Sequence, residues 1–178
     1  MATKKWVVDP MHSEIQFKVK HLMITNVTGS FDKFDVSAET EDEDFMKAKI
    51  SFSADVDSIS TGNEQRDAHL KSADFFDAAN HPQIKFVATK YENVDNDGSY
   101  ELYGDLTIRG ITKNVKLDVE FGGVVKDPYG NTKAGFTING KIKRKDFGLH
   151  WDAVTEAGGI VVSDEVRIMC EVQLIEQQ

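Results

Sequence analysis

The chain has 178 residues, enough for one domain (1–178) whose core needs no covalent staple, and its single cysteine, Cys170, excludes the disulfide-stapled secreted class. A formal charge of −9, from 30 acidic against 21 basic residues, works against binding phosphate backbones, so nucleic acid is not an expected partner. No apolar run exceeds three residues, which is too short for a transmembrane helix or a leader's apolar stretch, and 11 Phe, 4 Tyr and 2 Trp argue against disorder.

From the N-terminus, Trp6-Val7-Val8 opens a strand-like pattern, and Ser13, Ile15, Phe17 and Val19 then alternate with Glu14, Gln16 and Lys18. That period of two marks a strand with one buried face. His21 shares parity with Phe17 and Val19. It points inward near a barrel end if the strand continues, or caps the chain in solvent if the strand breaks at Lys20. The acidic run Glu39-Thr40-Glu41-Asp42-Glu43-Asp44 reads as a solvated loop, and alternation returns over 47–57.

Thr61-Gly62-Asn63-Glu64 has the form of a capping box, with Thr61 as N-cap. It predicts a helix over 62–71, and Ser72 starts a second short one through Asp77, ended by Asn80-His81-Pro82. Arg66 and His69 stand three apart on one helix face, while Asp67 and Lys71 form an i, i+4 pair. Arg66 either forks onto a ligand's oxygens with His69 beside it, or ties the helix to a strand carboxylate.

Alternation then occupies 83–91 and 99–108, separated by the turn residues Asp95-Asn96-Asp97-Gly98. That turn is not a calcium loop, because Tyr100 and Leu106 stand where the loop's glycine and bidentate Glu belong. Arg109-Gly110 makes the next tight connection, before Ile111, Val115, Leu117, Val119 and Phe121, with Lys113 the one misfit on the apolar side. After Tyr129-Gly130-Asn131, the residues Phe136, Ile138 and Ile142 oppose Thr137, Asn139 and Lys141. Lys141, Lys143, Arg144 and Lys145 form the one basic concentration, read first as a solvated strand end and second as a contact for anionic lipid headgroups. The last strand sets Val166, Ile168, Cys170, Val172 and Leu174 against Arg167, Glu171 and Gln173.

About eight one-faced antiparallel strands in meander order predict an all-β, eight-stranded barrel, rather than a two-sheet sandwich, with a short helical insertion at about 62–77. Such a barrel either fills with side chains or holds one small ligand. The histidines His12, His21, His69, His81 and His150 lack metal-site spacing, and no nucleophile elbow or phosphate loop is present. Cys170 lies on an apolar face, as a small buried hydrophobe does. No catalytic residues, metal or cofactor are expected.

Taken together, Trp6-Val7-Val8-Asp9, His12-Ser13-Glu14-Ile15-Gln16-Phe17, Ser58-Ile59-Ser60-Thr61-Gly62-Asn63, Arg66-Asp67-Ala68-His69-Leu70, Asp74-Phe75-Phe76-Asp77, Gly104-Asp105-Leu106-Thr107-Ile108-Arg109-Gly110 and Arg144-Lys145-Asp146-Phe147-Gly148 resemble the YceI-like family. The match continues to Asp164-Glu165-Val166, with Ser163 standing where the family commonly has Gly, a departure expected to affect a loop only. The resemblance implies a lipocalin-like barrel around a hydrophobic tunnel that takes a polyisoprenoid, such as a prenyl pyrophosphate or quinone, and it implies no general catalytic activity. Parity and helix spacing then suggest Phe17, Val19, Phe52, Phe86, Leu106, Leu117, Phe136 and Ile138 as the tail-facing wall, with Phe76 and Trp151 as aromatic gates. His21, Arg66 and His69 are the expected head-group residues. Expected partners are thus an isoprenoid or other long-chain lipid, with transient membrane contact and a homodimer as further expectations. Lacking a leader, the chain is expected in the cytoplasm, or in the periplasm if a leader has been removed. An enzyme acting on a lipid or small amide, using the same three polar residues, is the alternative, and a ligand-free structural or stress protein is another.

Overall fold

A computed structural model describes residues 3–21, 24–42, 44–92, 98–149 and 162–177. Its strands are β1 (Thr3–Val8), β2 (Glu14–His21), β3 (Thr25–Phe31), β4 (Phe34–Glu41), β5 (Asp44–Asp55), β6 (Ile59–Ser60), β7 (Gln83–Glu92), β8 (Ser99–Ile108), β9 (Ile111–Lys126), β10 (Thr132–Lys143) and β11 (Glu165–Gln177), with one α-helix, α1 (Glu64–Lys71). All pairings are antiparallel, in the order β1-β4-β5-β7-β8-β9-β10-β11, and β1 also pairs with β11. The ring therefore closes with eight members, as the meander predicted, and leaves no free edge in that ring.

The remaining strands β2, β3 and β6 lengthen the wall on one side. β1 and β2 lie end to end along β11, pairing with its 174–177 and 167–171 stretches respectively. The sequence makes the break between them. Pro10 has no N–H to give a ladder, and it opens a 3-10 turn capped by Asp9, whose carboxylate accepts from Met11 N at 3.1 Å. Gln173 spans the gap, accepting from Asp9 N at 2.8 Å and donating to Ser13 Oγ at 3.0 Å.

Asp9 is buried and also receives Lys133 Nζ at 2.7 Å and pairs with His12 Nδ1 at 2.7 Å. Burial pushes its carboxyl up, but the bonds from Lys133, His12 and the Met11 N–H outweigh that and hold it below its ordinary value. A carboxyl depressed in the folded state adds stability above its unfolded value, and this is lost as pH falls through the folded one, here below about pH 4. Urea midpoints measured between pH 7 and pH 3 should therefore fall less steeply for Asp9→Asn than for the wild type, and equal slopes would count against this role.

The alternating strands place their apolar residues as expected, but the acidic run is not a loop. Glu39, Thr40 and Glu41 end β4 and Asp44 opens β5, with Glu41 paired to Asp44. Thr40 is buried and accepts the Trp6 Nε1–H at 2.9 Å, so alternation continues beneath acids that face solvent. Arg109-Gly110 joins β8 to β9, and both have positive φ, 52° and 75°, the turn form that suits a twisted hairpin. The expected turn residues Asp95–Asp97 lie outside the described residues, between strands β7 and β8 that do pair.

The helix is shorter than expected and capped differently. Asn63, not Thr61, is the N-cap, accepting from Arg66 N at 3.0 Å. Thr61 instead donates its N–H and hydroxyl to Asp67 Oδ1, at 2.9 and 2.6 Å. That bond takes Asp67 out of the expected pair with Lys71. The stretch after Ser72 forms turns, not a second helix, because Ser72 ends α1 by bonding the His69 carbonyl through both its N–H and its hydroxyl.

Candidate functional site

The barrel has one end plugged and one end crossed by α1. At the plugged end Trp6, fully buried, lies with its ring tilted 5.0 Å from Phe45, and Phe45 lies 5.6 Å from Phe121 and 5.0 Å from Phe136. Phe121 and Phe136 stack at 5.2 Å. Offset and edge-on rings of this kind fill a barrel cross-section densely.

Above the plug lies a cavity of about 400 Å³ with an almost wholly apolar wall. This falls in the range of small-molecule pockets, roughly 300–1,000 Å³. Glycines help keep it open. A Cβ on Gly29 would stand 2.3 Å from Phe17 Cζ, one on Gly104 2.3 Å from Phe86 Cζ, and one on Gly140 2.5 Å from Leu117 Cδ2. Each of these side chains therefore lies flat across a neighbouring strand instead of projecting into the lumen. Gly29 is the direct cross-strand partner of Phe17, and Gly140 that of Leu117.

The expected wall residues Phe17, Val19, Phe52, Phe86, Leu106, Leu117, Phe136 and Ile138 all line this one cavity, as does Phe76. Phe136 does so from the plug, at the closed end. Phe76 packs edge-on against Phe31 at 6.1 Å, and Phe31 lies 5.6 Å from Phe17, so an aromatic path runs from mouth to wall. Trp151 lies outside the described residues. Tyr100 and Cys170 also border the cavity, and burial raises both, the Cys170 thiol to about 12. Both are neutral at physiological pH, so neither puts a charge in the lumen.

His21, Arg66 and His69 line the same cavity from two different elements. β2 does continue to His21, which bridges to Val162. Arg66 is anchored to Thr61, donating from Nε to Oγ1 at 2.7 Å and from Nη2 to the carbonyl at 2.6 Å. Among the described residues it makes no bond to a strand carboxylate. His69 is held by Asp74 Oδ2 at 2.9 Å and by the Phe75 ring, edge-on at 5.1 Å. The mouth thus presents His21, Arg66 and His69, the last two braced from behind, with Lys20 and Thr61 also bordering the cavity. Among the described residues no group of three His, Cys, Asp or Glu side chains is placed to hold a metal ion.

Two features of the mouth were not legible beforehand. Arg144, expected among surface cations, is 3% exposed, and its guanidinium donates to the carbonyls of Ser163, Leu149 and Val162 at 2.9, 2.7 and 3.2 Å. Burying a charge requires such saturation. Ser163 is not an idle loop position either. Its hydroxyl accepts from Lys20 N and its N–H donates to the Lys20 carbonyl, both at 3.0 Å, tying the start of β11 to the end of β2. The wall residues Val27 and Phe31 follow from strand parity, whereas Phe45 carries no local signal inside its acidic surroundings.

A closed antiparallel barrel with an apolar cavity and a polar mouth defines a ligand-binding barrel. The family model for the YceI-like domain matches residues 6–174, and the chain belongs to that family. It is 39% identical over 160 residues to the UPF0312 protein SAS2572 of Staphylococcus aureus (strain MSSA476), covering 89% of this chain and 90% of that one. The Campylobacter jejuni YCEI protein superposes with a TM-score of 0.75 at 36% identity, covering 89% and 90% of the two chains. A polyisoprenoid binding domain from Saccharophagus degradans shares the fold at a TM-score of 0.63 and 14% identity, covering 97% and 98%.

Proposed function

We propose that the chain binds a polyisoprenoid or similar long-chain lipid, with its tail in the barrel and its polar head at His21, Arg66 and His69. The carrying observation is the apolar cavity of about 400 Å³ beneath those three side chains. Each buried methylene contributes about 0.8 kcal/mol, so ten such groups contribute about 8 kcal/mol before the costs of association and ordering. That term is indifferent to lipid identity, and the head group therefore supplies selectivity. The shared fold of a polyisoprenoid binding domain supports the same reading. A binding and carrying role, not catalysis, is the reading that follows, with the cytoplasm as the proposed compartment.

Organic extraction of the purified protein followed by mass spectrometry should recover a prenyl lipid. Added farnesyl pyrophosphate or a prenyl quinone at about 100 times its Kd should stabilise the fold by about 2.7 kcal/mol. Arg66→Ala should weaken a phosphate-headed ligand by roughly tenfold to a hundredfold, the worth of a charged hydrogen bond. No recovered lipid, together with no thermal shift on adding either one, would overturn the reading.

A further inference from the structure

One surface of the barrel takes no part in holding a lipid inside it. On the outer wall, Lys18 of β2 is paired with Arg167 of β11, and Arg167 with Lys141 of β10. Three cations thus stand directly opposite one another across three adjacent strands, an arrangement that works against sheet stability. Lys20 and Lys143 are exposed one step nearer the mouth. Among the described residues Lys18, Lys20, Lys143 and Arg167 have no ion-pair partner, and Lys141 reaches only Glu165, at 3.9 Å with both side chains in solvent. Glu165 stands across from Lys143 in the ladder, Asp164 Oδ1 accepts from Lys145 N, and exposed Asp146 lies in the turn that follows β10. Exposed pairs of this kind neutralise little.

This flank belongs to a chain of net charge −9. Acids stand at both ends of the barrel: Glu39, Glu41, Asp42, Asp44, Glu92 and Glu120 flank the plugged end, while Asp35 of β4, Asp55 of β5, and Glu64 and Asp67 of α1 lie at the mouth end but on elements other than β2, β10 and β11. The cations of β2, β11 and β10 thus form a local basic band beside the mouth. Just beyond His21, whose side chain borders the cavity, Ile24 is 80% exposed. An apolar side chain at the rim, beside a band of unneutralised cations, matches the chemistry of an anionic bilayer surface.

We infer that the β2–β11–β10 flank docks on anionic lipid bilayers and sets the mouth of the cavity against the membrane. The inference rests on the lipid-binding reading for its purpose, since the ligand's source is then the bilayer itself. Attraction of the cation row orients the barrel with that flank toward an anionic surface. The contact is reversible, because the attraction is electrostatic and screened by salt.

The test is flotation of the intact protein with vesicles of phosphatidylcholine alone, or of equal parts phosphatidylcholine and phosphatidylglycerol. Binding should appear only with the anionic vesicles and should decline as salt is raised. The triple variant Lys18→Glu, Lys141→Glu, Arg167→Glu should bind at least about a hundredfold more weakly, each cation near the surface being worth roughly fivefold. Lys47→Glu, Lys49→Glu, Lys126→Glu changes net charge equally on other faces and should bind nearly as the wild type does. Should the reversal variant misfold, Lys18→Gln, Arg167→Gln replaces it, with about a twenty-fivefold loss expected. Equal binding to both vesicle types, equal losses in the two triple variants, or retention only on an acidic protein or nucleic acid overturns the inference. Calorimetric titration with soluble farnesyl pyrophosphate, without vesicles, separates the two ideas. Ligand uptake with no flotation rejects docking alone, while absence of both rejects the lipid reading as well.

Discussion

Replacing Gly29 by alanine should abolish ligand uptake while leaving the barrel folded. The new Cβ would stand 2.3, 2.7 and 2.9 Å from three atoms of the Phe17 ring, and no backbone atom is among those nearest contacts. The ring must therefore leave the wall, and with β3 behind it the open direction is the lumen. Overpacking of this kind costs about 1–3 kcal/mol, well short of unfolding a typical domain. The same change at Gly104 is less informative, because there the Cβ also meets the Val87 carbonyl oxygen at 2.7 Å and the backbone itself must shift. Prenyl-lipid titration and urea unfolding of Gly29→Ala give the two readouts. The double variant Gly29→Ala, Phe17→Ala should recover uptake, since it removes the displaced ring, and this coupling is a signature that simple destabilisation lacks. Uptake by Gly29→Ala at wild-type affinity would sink the idea that Phe17 must lie flat to keep the cavity open.

Trp6→Ala should show the largest loss of stability among single core changes. Trp6 is fully buried, packs on Phe45, and donates to Thr40 Oγ1. Removing a buried indole costs about 3–5 kcal/mol through lost burial and the cavity left behind. For a domain of this size that lowers Tm by roughly 6–20 °C. Thr40 keeps its own bond to the Asp42 carbonyl at 2.6 Å, so the penalty comes chiefly from the void. A void beside Phe45, Phe121 and Phe136 also loosens the floor of the cavity, and ligand dissociation should speed up along with the Tm loss. A Tm within 2 °C of wild type would show, on the same scale, that the plug is not a principal stabilising cluster.

The two substitutions probe opposite kinds of aromatic residue. Phe45, Phe121 and Phe136 fill space, whereas Phe17 and Phe86 lie across glycines and leave space open. Strand parity treats all of these as inward-facing and cannot separate them, because the distinction depends on what faces each ring from the next strand. Gly29 opposite Phe17 is a pairing between residues twelve apart, and Trp6 with Thr40 joins residues thirty-four apart. Neither register can be read from local pattern.

What the sequence determined by itself was the set of one-faced strands, their meander order, the turn at Arg109-Gly110 and the presence of the helix bearing Arg66 and His69. These depend on neighbours a few residues away, through side-chain alternation and allowed backbone angles. It also carried the family resemblance. Local reading misplaced the helix cap, took the buried Thr40 for part of a solvated loop, and counted Arg144 among surface charges. In each case the deciding partner is a tertiary one: Asp67 folded back on Thr61, Trp6 reaching Thr40 from another strand, and three carbonyls converging on a guanidinium. Only barrel closure decided that His21 meets Arg66 and His69 at one mouth, that an aromatic plug seals the other end, and that Lys18, Arg167 and Lys141 share a row. The reason is physical. Alternation states which face a residue takes, but the register between distant strands, set by packing the whole interior at once, decides what each residue stands beside.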